Sequence, residues 1–360
     1  MVLLDAVRPR RHRADGFSGT DGPVRVPMRT RGIDLLAMLF GRSISQMSLT
    51  DIQLARQVVA PRLPIVDRIT GPVVPGVGIC RRQVPVRDGR TRPVRYYHPG
   101  AGSASEGGLP TVLFLHGGGF VLGNVVGYDP LCSFIADSVG ALVVSVDYRL
   151  APEHPAPAGI HDAFDVLCWL GSHAAELGGD ADRLAIAGDS AGGNLSAVVA
   201  QLARDAGGPA LRHQTLIYPA VDSTCLWRSK IVHSSGPILT RRETDTYFRY
   251  YLGHGPATLT PDDPLISPLL GRLDGLPPTL IQTAGLDPLR DEGQAYGRAL
   301  RQAGVPVVAT DYPRAPHGFA SFPGASVGAW GHRAEIRDQL RRYLTQPQVV
   351  SPVAGDTASG

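Results

Sequence analysis

The chain holds 360 residues with 43% hydrophobic and 19% charged side chains, a balance that supports a sizeable core and excludes disorder over most of its length. Its formal charge of +3 is too small for this length to mark a nucleic-acid-binding face. Cys80, Cys132, Cys168 and Cys225 are scattered without a Cys-x-x-Cys pair, which argues against zinc and a disulfide framework and points to a reducing cytoplasm.

Residues 1–31 are rich in Arg, Gly and Pro without periodicity and are expected to form a disordered tail. Arg8, Arg10, Arg11 and Arg13 are followed by no apolar stretch of leader length, so secretion is not expected. Ile33 to Phe40 is apolar but far shorter than the about 20 residues that span a bilayer. Packing against the protein is its expected fate, while contact with a membrane surface stays open. Ser48-Leu-Thr-Asp51 reads as a capping box, after which Ile52, Ala55, Val58 and Val59 recur on one face of an amphipathic helix closed by Pro61 and Pro64. With the Gly/Pro-rich stretch from Gly71 to Gly78 as boundary, residues 32–75 are expected to form an N-terminal helical cap and residues 76–345 the catalytic body.

From Gln83 to Pro99 short β runs flank Asp88-Gly89, a hairpin pattern. Continuous apolar runs then recur at Thr111–Leu115, Leu142–Val146, Leu184–Ala187, Thr215–Ile217, Thr279–Ile281 and Val305–Val308, mostly separated by helical patterns. Such runs are buried strands of a mostly parallel central sheet flanked by helices, so the fold class is α/β. Ligands of such sheets bind beyond the carboxyl ends of the strands. Between about 220 and 260 the alternation is interrupted, Thr240-Arg-Arg-Glu243 is a second capping box, and Tyr247, Phe248, Tyr250 and Tyr251 make the next helix aromatic. This insertion is expected to complete a helical lid with the N-terminal helices, its rings serving as core rather than as a substrate wall. A last helix is expected over 331–345 and a disordered end over 346–360.

The chemistry centres on Gly188-Asp189-Ser190-Ala191-Gly192, where an apolar run passes through a tight turn into helix-forming residues. Glycines two places either side of Ser190 let neighbouring backbone approach, so the hydroxyl can stand clear at the strand's end. A serine hydroxyl needs a base and an acid to orient that base. His317 follows the strand ending near Tyr312. Asp287 follows the Thr279–Gln282 strand and, being nearest its end, is preferred over Asp291 and Glu292. His116, His154 and His161 fall near other loops and are assigned structural roles. His116-Gly-Gly-Gly-Phe120 follows the first strong parallel strand, and its bare N–H groups suit a developing oxyanion, Gly117 and Gly118 acting with Ala191. A phosphate cradle is disfavoured, because neither Gly-Lys-Ser/Thr nor a full Gly-x-Gly-x-x-Gly is present.

The blocks His116–Phe120, Asp147-Tyr-Arg-Leu-Ala-Pro-Glu153, Gly188–Asn194, Gly285–Asp291 and His317–Phe319 together resemble the hormone-sensitive-lipase family of esterases, the bacterial type IV lipolytic family, over about residues 45 to 345. The resemblance implies an α/β-hydrolase fold with a helical cap and a carboxylic-ester hydrolase preferring short to medium acyl chains. It implies Ser190, Asp287 and His317 as the triad, Gly117, Gly118 and Ala191 as the oxyanion hole, a small-molecule ester as partner, and no metal or cofactor. An amide or lactone hydrolase could use the same triad. A receptor on this scaffold, as in gibberellin receptors that have lost the histidine, is disfavoured because His317 is present. The Arg-rich start has no counterpart in the family pattern, and the oligomeric state is left open.

Overall fold

A computed structural model describes residues 43–100, 107–254, 259–326 and 329–345. The expected tails at 1–31 and 346–360, and the apolar segment Ile33 to Phe40, lie outside the described residues. Eight strands form one sheet in the order β1-β2-β4-β3-β5-β6-β7-β8. They are β1 (Gly78–Pro85), β2 (Thr91–His98), β3 (Leu109–Leu115), β4 (Leu142–Val146), β5 (Gly179–Asp189), β6 (Leu211–Ile217), β7 (Thr279–Leu286) and β8 (Val307–Pro316). The β1/β2 hairpin joins antiparallel to β4, and β3 to β8 run parallel.

The continuous apolar runs have a direct cause. In β3, Leu113 and Leu115 enter one core while Val112 and Phe114 enter the other, and in β5 Leu184 and Ile186 are likewise separated from Ala185 and Ala187. Alternate side chains leave a strand on opposite faces, so a sheet covered on both sides needs apolar residues at every position. The first face is covered by α4 (Ala158–His173), α5 (Ala191–Asp205) and α8 (Arg290–Gln302), and the second by α3 (Asp129–Val139) and α9 (Ala329–Leu344).

Among the described residues the α-helices α1 (Leu49–Gln57) and α2 (Pro64–Thr70) precede the sheet. Both bonds of the Ser48/Asp51 capping box are made. Two details differ from the sequence reading. Pro64 opens α2 instead of closing the region, since a first-turn proline loses no helical hydrogen bond and brings the right φ. Val58 and Val59 lie past the end of α1 and are exposed, and Ile52 supplies the buried contact. Ile44 and Ile52 pack on Val121 and Ala151, and Arg56 bonds Glu153 at 2.8 Å and the carbonyl oxygens of Val121 and Ala151. The insertion between β6 and β7 carries α6 (Arg228–Val232) and α7 (Arg241–Leu252), and α7 also starts with a complete capping box. Among the described residues no helix is long and apolar enough to cross a membrane.

Candidate active site

Ser190 sits in the turn between β5 and α5 with φ 54° and ψ −117°, a conformation that costs a non-glycine residue about 1–3 kcal/mol. Hydrogen bonds on both sides hold it there: Ser190 N–H donates to Ile217 at 2.8 Å, and its carbonyl accepts from Asn194 at 3.0 Å. Gly192 is required by a close approach, because a Cβ at that position would lie 2.0 Å from the Leu115 carbonyl oxygen. The start of α5 is therefore pressed against the end of β3, and Ser190 is lifted over the sheet's carboxyl edge.

β7 runs to Leu286 and β8 to Pro316, farther than the apolar runs indicate, so Asp287 and His317 each stand immediately past a strand. His317 Nε2 is 2.9 Å from Ser190 Oγ, and His317 Nδ1 is 2.7 Å from Asp287 Oδ2. A ring nitrogen facing a buried carboxylate carries the proton, which leaves Nε2 to accept from the serine hydroxyl. Asp287 Oδ1 accepts the Leu289 N–H at 2.9 Å, fixing the carboxylate. The rival acids are engaged elsewhere: Asp291 accepts the Ser229 N–H at 2.8 Å, and Glu292 pairs with Lys230 at 2.7 Å. His116 is buried and stacked on Tyr148 with ring centroids 4.4 Å apart, and burial holds its imidazole below the usual histidine range.

Next to these residues lies a cavity of about 180 Å³ walled by Phe120, Leu239, Tyr247, Phe248 and Leu289. Gly118, Gly119, Ser190 and Ala191 also border it, and Gly117 does not. This corrects the oxyanion expectation. The Gly117 N–H points away, to Asp189 Oδ1 at 2.8 Å and the Tyr128 hydroxyl at 3.0 Å. Among the described residues the N–H groups of Gly118 and Gly119 meet no protein acceptor. Ala191 opens α5, so no carbonyl one turn earlier is available to it. The aromatic helix also departs from its expected role, because Tyr247 and Phe248 face the cavity while Tyr251 stacks on Phe120 at 3.7 Å. The Tyr247 ring lies so near the glycine loop that a Cβ on Gly119 would sit 2.3 Å from it. Ile44 and Ile52 back Tyr247 from behind, and neither borders the cavity.

Residues that no sequence pattern signals support the site. Ser229 Oγ donates to the Pro288 carbonyl at 2.7 Å, one residue from Asp287. Lys230, the sole lysine in the sequence, pairs with Glu292, which also accepts the Val221 N–H at 2.9 Å. Burial pushes the Glu292 carboxyl up to about 7 against the pull of Lys230. Lys230→Met should thus cost about 3–5 kcal/mol in urea unfolding, because it strands a buried carboxylate. A carboxyl raised in the folded state is stabilised when protonated, so this loss should be least near pH 5 and grow toward pH 8.

Residues 112–321 match the family described as alpha/beta hydrolase fold. The carboxylic ester hydrolase LipN of Mycobacterium tuberculosis is 43% identical over 260 residues, which are 71% of this chain and 68% of that one. The chain belongs to the hormone-sensitive-lipase family of α/β hydrolases. The carboxylesterase NlhH of Mycobacterium tuberculosis is 46% identical over 233 residues, 64% of this chain and 72% of that one. Among solved structures, a thermostable esterase from Pseudomonas putida superposes with a TM-score of 0.77 at 31% identity, covering 91% of this chain and all of that one. Family membership accounts for the order of the blocks along the chain.

Proposed function

We propose that the chain hydrolyses carboxylic esters with short acyl groups through an acyl-enzyme formed on Ser190. The observation that carries this reading is the unbroken line from Ser190 Oγ to His317 Nε2 at 2.9 Å and from His317 Nδ1 to Asp287 at 2.7 Å, at the edge of an apolar cavity. His317 takes the serine proton as Oγ attacks the ester carbonyl, and Asp287 keeps the imidazole in the required tautomer. The N–H groups of Gly118, Gly119 and Ala191 receive the oxyanion. His317 then protonates the leaving alcohol and activates the water that releases the acid. The names of the relatives favour the same reaction class.

Cavity size supports the acyl preference. An apolar cavity of about 150 Å³ holds benzene, so one of about 180 Å³ holds an acyl group of a few carbons. In this reading the helices α1, α2, α6 and α7 form a cap whose inner wall is Tyr247 and Phe248. A panel of p-nitrophenyl esters tests it: kcat/KM should peak between acetate and hexanoate and fall by about tenfold or more at laurate, whose chain overfills the cavity. Phe248→Ala should move the peak to a longer chain. A flat profile through palmitate, or an unmoved peak in the variant, would exclude this pocket as the acyl site.

A further inference from the structure

Asp189 ends β5 immediately before Ser190 and is 3% exposed. Its Oδ1 accepts the Gly117 N–H at 2.8 Å. Its Oδ2 accepts the Tyr128 hydroxyl at 3.0 Å and the Tyr218 hydroxyl at 3.2 Å. Among the described residues it forms no salt bridge, and burial pushes its carboxyl up to about 6 against the pull of these donors. A carboxylate without a cation is an expensive way to satisfy neutral donors in a core. The Tyr218 ring in turn lies 4.7 Å from the His317 ring. One carboxylate therefore touches the strand that carries Ser190, the glycine loop and a ring beside His317.

We propose that Asp189 is a positioning residue for the oxyanion donors: by holding the Gly117 N–H it sets the pitch of the Gly117–Phe120 loop, so that the next two N–H groups face Ser190. The inference rests on the reading of Ser190 as the nucleophile. Its physical basis is that such donors work only when aimed before the reaction begins, and a misplacement of about 1 Å can cost about 100-fold in rate. Without Asp189 the Gly117 N–H would keep only the Tyr128 hydroxyl at 3.0 Å, itself held by the same carboxylate. The backbone φ angles of Gly118 (120°), Gly119 (61°) and Phe120 (64°) are all positive, so the loop turns sharply just after the tie.

Three variants test the tie, with active sites counted by diethyl p-nitrophenyl phosphate titration and turnover measured on p-nitrophenyl butyrate. Asp189→Ala should lower kcat per titrated site by about 100-fold with KM within about twofold. Asp189→Asn keeps one oxygen for Gly117 and should lose only about tenfold. Affinity for a trifluoromethyl ketone, whose hemiketal oxyanion needs the same N–H groups, should fall in step with kcat/KM. Gly117→Ala breaks the tie from the other side, since its Cβ would lie 2.7 Å from Asp189 Oδ2, and it should reproduce the kcat loss even if Asp189→Ala does not fold. A lower thermal midpoint and a smaller titratable fraction, with unchanged kcat per titrated site in these variants, would overturn the proposal and leave Asp189 a core residue only. A wild-type protein not phosphorylated at Ser190 would overturn the esterase reading beneath it, an outcome distinct from a phosphorylated Asp189 variant with full turnover.

Discussion

Ser190→Ala is expected to lower kcat on p-nitrophenyl butyrate by roughly 10⁵-fold to 10⁶-fold while leaving the thermal midpoint at or above the wild-type value. The size follows from losing the atom that forms the acyl bond, as in other serine hydrolases where removing the nucleophile collapses the whole catalytic unit. The direction of the stability change follows from the backbone. Ser190 holds φ 54° and ψ −117° through hydrogen bonds of its main chain, and none of these needs the hydroxyl. Alanine keeps those bonds and forgoes only the hydroxyl's bond to His317 Nε2, which borders the cavity where water can take the hydroxyl's place. Mass spectrometry after organophosphate treatment should place the label on the peptide containing Ser190 and nowhere else. A variant that keeps more than about one-thousandth of the activity, or a label on another serine, would exclude Ser190 as the nucleophile.

Asp287→Asn should lower kcat by about 10⁴-fold, whereas Asp291→Asn should cost less than about tenfold. The carboxylate of Asp287 accepts hydrogen bonds from His317 Nδ1–H at 2.7 Å and from the Leu289 N–H at 2.9 Å. An amide at that position can offer its own N–H to Nδ1, which puts the imidazole proton on Nε2 and removes the acceptor for Ser190. Asp291 instead accepts the Ser229 N–H, so its amide variant disturbs the support beneath the acid loop and not the histidine. Steady-state kinetics on both variants decides the matter, and the reverse ranking would exclude Asp287 as the acid.

The parallel part of the sheet is legible in the sequence because both of its faces are covered. Every residue of β3 is buried, so burial itself writes an uninterrupted apolar run. Asp287 follows β7, which is buried throughout, and is legible as a strand-end residue for the same reason, whereas β8 is a partly exposed edge strand whose apolar run stops well before His317. The glycine loop is different. The Gly117 N–H is taken by Asp189, 72 residues farther along the chain. Neither glycine spacing nor local propensity carries that contact, and Gly117 is misassigned in consequence. Tyr247 and Phe248 illustrate a similar limit: an aromatic stripe states that a face must be covered, but not whether protein or substrate covers it. The short reach of α1 follows from packing as well, because Ile52 finds Val121 while Val58 and Val59 stay exposed.

The burial of Lys230 bears on how this protein meets reactive acyl donors. Activated esters acylate exposed lysine amines on most protein surfaces, and the product resembles a stalled acyl-enzyme in both mass and stoichiometry. Here the sole side-chain amine is 7% exposed, held by the Glu292 carboxylate and the Asp222 carbonyl. Arginine supplies every other permanent cation, and a guanidinium that stays protonated is no nucleophile. The surface thus offers acylating reagents no readily reached lysine amine, and the exposed Cys80 thiol is the side chain to block before such an assay. With Cys80 blocked, a pre-steady-state burst of p-nitrophenol from this chain therefore carries little background from lysine amines.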